Sequence, residues 1–129
     1  MKLWRRAEPV DGPRGVRGED LACRHLALHG FTVVERNFRC RGGELDVVAR
    51  EGDVTVFVEV KERRDASRGA GHEAVTVSKR RRIVRAARVY ASAHGLSETP
   101  LRFDVISIDW SRGQPDLRHD RGAFSVDDA

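Results

Sequence analysis

Two adjacent runs, ELDVVARE (44–51) and DVTVFVEVKER (53–63), constrain this chain more than any other feature. Both are rich in β-branched residues, and Gly52-Asp53 lies between them as a two-residue hairpin turn. A two-residue turn pairs Glu51 with Val54, so every cross-strand pair sums to residue number 105. That register sets Asp46 opposite Glu59 and Glu44 opposite Lys61. Alternation of side chains then places all four on one face, with Val54, Val56, Val58 and Val60 on the other. A three-residue turn would break this alignment.

The flanking segments supply the rest of a layered domain. A helix is expected over residues 16–29, ended by Gly30, with Cys23 and Leu26 facing inward and Glu19 four residues before Cys23. FTVVERNFR (31–39) and LRFDVISIDW (101–110) read as strands. A second helix is expected from a Ser78 cap to His94, ended by Gly95, with Ile83, Ala86, Ala87 and Tyr90 as its packing stripe. Residues 1–15 read as a flexible basic arm, 64–72 as a polar glycine-bearing loop, and 111–129 as a polar C-terminal tail without a pattern. The order α-β-β-β-α-β implies an α/β fold, a mixed central sheet flanked by helices.

At 129 residues the chain suits one domain, here residues 16–110. Its hydrophobic and charged shares, 40% and 34%, are those of a soluble globular protein. No apolar run approaches the length of a membrane helix, and MKLWRRAEPVDGPRG lacks the apolar core of a secretory signal. Cys23 and Cys40, without zinc-type spacing, are expected as reduced thiols of a cytoplasmic protein. The five histidines suggest no site.

Charge is unevenly spread. Residues 1–41 carry nine Lys/Arg against five Asp/Glu, residues 42–66 four against seven, residues 67–95 seven against one, and residues 96–129 four against seven. An acidic centre between basic segments suits a site that binds a cation and a polyanion together, although scattered surface charge would give the same totals.

Facing carboxylates repel, so Asp46 opposite Glu59 calls for a cation. Hard oxygen ligands suit Mg2+ or Mn2+. Lys61, two residues beyond Glu59, could neutralise charge that develops on a phosphodiester undergoing hydrolysis. Glu19 and Lys79 point toward the same core from helices. Ordinary salt bridges on a wet sheet face remain the competing reading. Lys79, Arg81, Arg85 and Arg88 belong to a stretch of six cations with no acid over residues 79–88, which suits a phosphate backbone better than a plain solvated face. Asp104 reads as a structural partner for an arginine.

The blocks RGEDLA (17–22), GELDVV (43–48), VFVEVKER (56–63) and RFDV (102–105) resemble the YraN family of uncharacterised bacterial proteins. That family resembles Holliday-junction resolvases of the PD-(D/E)XK nuclease superfamily, over roughly residues 15–110 here. The resemblance implies a restriction-endonuclease-like core, with Asp46 and Glu59 as metal ligands and Lys61 as the catalytic lysine. Glu19 matches the helical glutamate that resolvase-like members add, and Glu44 belongs to the GELD signature. Leu45 stands where the superfamily carries a proline. The activity implied is a Mg2+- or Mn2+-dependent endonuclease hydrolysing DNA, of the Holliday-junction type, in repair or recombination. A resolvase would act as a homodimer, since two symmetric cuts need two sites. The alternative is a non-catalytic nucleic-acid-binding protein that keeps the fold.

Overall fold

The computed structural model describes residues 5–6, 17–64 and 75–128. Of the basic arm only Arg5–Arg6 falls within them, and the 64–72 loop lies outside them after Arg64. In chain order the elements are β1 (Arg5–Arg6), α1 (Gly18–Leu28), β2 (Thr32–Cys40), β3 (Gly43–Glu51), β4 (Val54–Arg63), α2 (Val77–Ala93), β5 (Leu101–Asp109) and β6 (Asp116–Phe124), then a 3-10 turn at Val126–Asp128. They form an α/β fold, consistent with a nuclease-like core. The sheet has the order β1-β6-β5-β4-β3-β2. Among the described strands only β4 and β5 run parallel, so α2 is the crossover between them.

Each face of the sheet has its own core. On the α1 side Leu21, Ala22 and Leu26 pack on Val47, Val56, Val58 and Ile106. On the other side Ile83, Ala86, Ala87 and Tyr90 of α2 pack on Val48, Phe57 and Phe103, the stripe expected for that helix. Val54 and Val60 also lie on the α1 side, so all four β4 valines share one face. Burial on both faces explains why the central strands read as nearly continuous apolar runs.

The hairpin register is the expected one: Glu51 pairs with Val54, and Val47 with Val58. Gly52 takes φ +61°, the left-handed region that glycine enters freely. The pairing stops at Val47 and Val58. Toward its start β3 follows β2, with Leu45 on Phe38 and Glu44 on Arg39, while β4 continues along β5 from Glu59 to Arg63. Neither expected pairing, Asp46 with Glu59 or Glu44 with Lys61, is therefore made as a ladder pair, because the two strands part just before Asp46 and Glu59.

Three other expectations change. α2 is capped by Thr76, whose Oγ1 accepts the Lys79 N–H at 3.1 Å, rather than by Ser78, which lies inside the helix. Cys23 does pack against the α1-side core as expected but is only half-buried, because Leu21, Ala22 and Leu26 form the centre of that face. The polar tail supplies β6, which pairs antiparallel with β5. Its polar residues are accommodated by partners: Asp120 is buried and accepts from Arg118 Nε at 3.0 Å.

Gly43 fixes how closely α2 approaches the fork. A Cβ at this position would lie 2.3 Å from the Arg82 carbonyl oxygen and 3.1 Å from the Ala86 Cβ. Backbone cannot yield as a flexible side chain can, so Gly43→Ala should cost about 1–3 kcal/mol through overpacking. Chemical denaturation should show this as a lowered midpoint at unchanged slope. An unshifted midpoint would mean that α2 does not bear on the fork as described.

Candidate functional site

At the fork the side chain of Asp46 supplies the acceptor for a backbone donor of β4. Its Oδ2 accepts the Val60 N–H at 2.8 Å. The bond holds the Asp46 carboxylate against β4 one residue past Glu59. Glu59 is 7% exposed, directed to the α2 side, and hydrogen-bonded to Asp46. Lys79 Nζ stands 3.4 Å from Glu59 Oε2 and 3.8 Å from Glu44 Oε1. Arg82 and Arg39 reach Glu44 at 4.0 and 3.8 Å. Lys61, half-buried, is two residues along β4 from Glu59.

Burial, the hydrogen bond to Asp46 and the negative charge of Asp46 together push the Glu59 carboxyl up to about 8, against the pull of Lys79. Glu59 thus keeps its proton near neutral pH in the metal-free protein. A divalent cation binding the two hard oxygen donors would displace that proton, so the donor set fits Mg2+ or Mn2+. Asp46 and Glu59 are the residues that could hold such an ion.

Glu19 is 8% exposed at the start of α1, where Gly18 lies so close to β4 that a Cβ would meet the Glu62 side chain at 2.3 Å. Its Oε1 accepts from Arg36 Nε at 2.7 Å and Asn37 Nδ2 at 3.0 Å. Arg36 also donates to Asp20 Oδ1 at 2.7 Å. Among the described residues no three His, Cys, Asp or Glu side chains gather around one point. The structure brings together Asp46 and Glu59, with Glu44 joined to Glu59 through Lys79. It places Glu19 in a separate ion-pair network. Arg36 carried no signal in the sequence, because its reach to α1 depends on the bulge in β2 between Val33 and Glu35 and on Asn37 at φ 56°.

The outer face of α2 forms an open groove of about 600 Å³. Arg81, Arg82, Arg85 and Arg88 line it over Val84, Val89 and Val126, and no acid is among these residues. Arg85 Nε donates to the Arg41 carbonyl at 3.1 Å, which fixes one guanidinium at the rim. Of the four cations expected to meet nucleic acid, Arg81, Arg85 and Arg88 share this groove, and Lys79 sits with the carboxylates. Arg82 belongs with both groups and was passed over, although it lies three residues from Lys79 and from Arg85, on the same side of the helix. From Lys79 to Arg88 the helix advances about 13 Å.

The raised Glu59 carboxyl has a consequence for the metal-free protein. Below its ordinary value near 4.5 the folded and unfolded chains are both protonated there, and the site costs nothing. As pH rises toward 8 the unfolded chain ionises first, so stability falls across that window. Glu59→Gln removes the effect. In chelator-treated protein the variant should gain on the wild type between pH 5 and pH 8, by on the order of a few kcal/mol. A constant difference in melting temperature across that range would refute the coupling of Asp46 and Glu59.

The chain matches the model of the Uncharacterised protein family UPF0102 over residues 18–108, from the start of α1 through β5. A UPF0102 protein of Geobacter sulfurreducens is 47% identical over 113 residues, spanning 87% of this chain and 88% of that protein. One from Rhodococcus jostii is 48% identical over 111 residues, 85% of this chain and 94% of its own. One from Pelobacter propionicus is 49% identical over 123 residues, 94% and 82% of the two chains. No helix among the described residues is long and apolar enough to cross a membrane. The chain belongs to the UPF0102 family, which the GELDVV and VFVEVKER blocks resemble under the name YraN.

Proposed function

We propose that this protein is a divalent-metal-dependent endonuclease that hydrolyses DNA phosphodiester bonds. The observation that carries the reading is the Asp46–Glu59 pair at the fork, two carboxylates in contact with one of them buried. Such a pair is costly in a merely structural role, since a hydrophobic pair would fill the same space without repulsion. The arginine groove beside it supplies cations for a polyanion.

The residues divide the work. Asp46 and Glu59 would hold Mg2+ or Mn2+, which supplies Lewis acidity toward a phosphate oxygen and toward water. Asp46 is kept in place by the Val60 N–H and needs no reorganisation to act. Lys61 stabilises negative charge that grows on the phosphate in the transition state. Lys79 pairs with both Glu59 and Glu44 in the metal-free form. Glu19 could join the ligands only by leaving Arg36. Arg81, Arg82, Arg85 and Arg88 bind backbone phosphates and set the strand's direction away from the carboxylates.

A non-catalytic nucleic-acid-binding role is the second reading. It is favoured by the ion pairs that already occupy Glu59 and Glu19 and by a groove that needs no metal. Cleavage separates the two. With Mg2+ or Mn2+ the protein should nick DNA in a panel of linear, flapped and four-way substrates, and a resolvase would cut the four-way junction in symmetric pairs as a dimer. Lys61→Ala should abolish single-turnover cleavage while DNA affinity stays near that of the wild type. Normal cutting by Lys61→Ala would remove the lysine from the mechanism. Binding without nicks in either metal would favour the second reading.

The groove makes its own prediction. Arg81→Ala with Arg85→Ala should weaken DNA binding and reduce the salt dependence of affinity by about one unit per lost phosphate contact. An unchanged salt slope would place the polyanion elsewhere.

A further inference from the structure

Where β4 and β5 end, one carboxylate oxygen holds an aromatic ring and an arginine together. Trp110 follows β5, and its backbone N–H donates to the Arg63 carbonyl at 2.8 Å. The indole is half-buried at the rim of the α1-side core. Its Nε1–H donates to Glu62 Oε1 at 2.9 Å, and Arg64 Nη2 donates to the same oxygen at 3.0 Å. The Arg64 guanidinium lies over the indole, 4.7 Å from the ring centroid. Gly18, at the start of α1, leaves room for the Glu62 side chain, which a Cβ there would meet at 2.3 Å.

The Arg64 side chain is 62% exposed, and a long exposed side chain ordinarily keeps its rotamer freedom. Here it is ordered twice, by the carboxylate and by the ring. An exposed ion pair of this kind adds little to stability, so closing the end of the α1 layer is a weak reason for it. What the ordering provides is a planar cation already set on an aromatic support. A nucleobase stacks on such a plane.

The surroundings suit a polyanion. Arg17 precedes Gly18, Arg112 lies in the turn after Trp110, and Arg63 stands 3.8 Å from Asp109. Of the other acids at this end, Glu62 is taken up by Arg64 and Asp20 by Arg36. Arg64 is three residues past Lys61, about 10 Å along an extended chain. Side-chain alternation sets Lys61 on the α2 side and Arg64 on the α1 side. A nucleic-acid strand reaching both must therefore bend over the end of β4. A duplex is too stiff for such a bend, and its neighbouring base pairs cover the faces of each base. An unpaired strand can bend and can offer a free base face.

We propose that Trp110 and Arg64 form a stacking platform for an unpaired nucleotide of a DNA strand, with Glu62 as the residue that positions both. The inference rests on the nucleic-acid reading above and narrows its substrate to DNA with unpaired bases, such as flaps, gaps and open branch points. The base lies on the outer side of the Arg64 guanidinium, and the indole supports that plane from beneath.

The test measures binding by the full chain in chelator, where no cutting is needed. Its probes are a labelled oligothymidylate, an abasic strand of equal length and charge, and a blunt duplex. Arg64→Lys keeps the charge and loses the plane, at an exposed position that should still fold. It should weaken oligothymidylate binding about fivefold or more while leaving the abasic strand and the duplex near their wild-type affinities. Trp110 emission is read in Trp4→Phe protein, Trp4 being the chain's other tryptophan. It should change with oligothymidylate and stay constant with the abasic strand. Wild-type affinity in Arg64→Lys, or an emission that responds to both strands or to neither, would overturn the platform and leave the nuclease reading standing. Failure of the wild type to bind any of the three DNAs would overturn both.

Discussion

The bond from the Val60 N–H to the Asp46 carboxylate is the contact on which the site depends. It lies where β3 and β4 cease to pair, and a strand that leaves its neighbour exposes backbone donors and acceptors that must be satisfied. Using a carboxylate for that purpose has two effects. It closes the sheet at the fork, and it brings a negative charge against Glu59. The parting of the strands and the electrostatics of the site therefore have one cause.

The surrounding structure makes this arrangement tolerable. α2 comes close because Gly43 has no side chain, and the approach delivers Lys79 to Glu59 and Arg82 to Glu44. The helix thereby joins a small acidic centre to a long basic surface. On the opposite face α1 is held by Leu21, Ala22 and Leu26, with Arg36 clamping its two leading acids. Carboxylates there also suit the positive end of the helix, which gives Glu19 a structural role whatever else it does.

What the sequence made legible followed from short-range rules. The Gly52-Asp53 turn set the register, and the register set which carboxylates share a face. α2 declared itself by the spacing of Ile83, Ala86, Ala87 and Tyr90. The fork was not legible, since no residue type marks where β3 changes partners, so the register expected to carry Asp46–Glu59 and Glu44–Lys61 ends before either. Thr76 and Ser78 are both competent caps, and only tertiary packing selects the first. β6 escaped notice because DLRHDRGAF carries charges at inward positions, each made acceptable by a partner distant in sequence.

The central claim is that Asp46 and Glu59 stand together because a divalent cation belongs between them. Direct counting of bound Mn2+ by electron paramagnetic resonance, on folded wild-type, Asp46→Asn and Glu59→Gln proteins without DNA, tests it most directly. One bound Mn2+ per wild-type chain, lost in both variants, is the predicted result. Equal occupancy in all three, or none in the wild type, would contradict it.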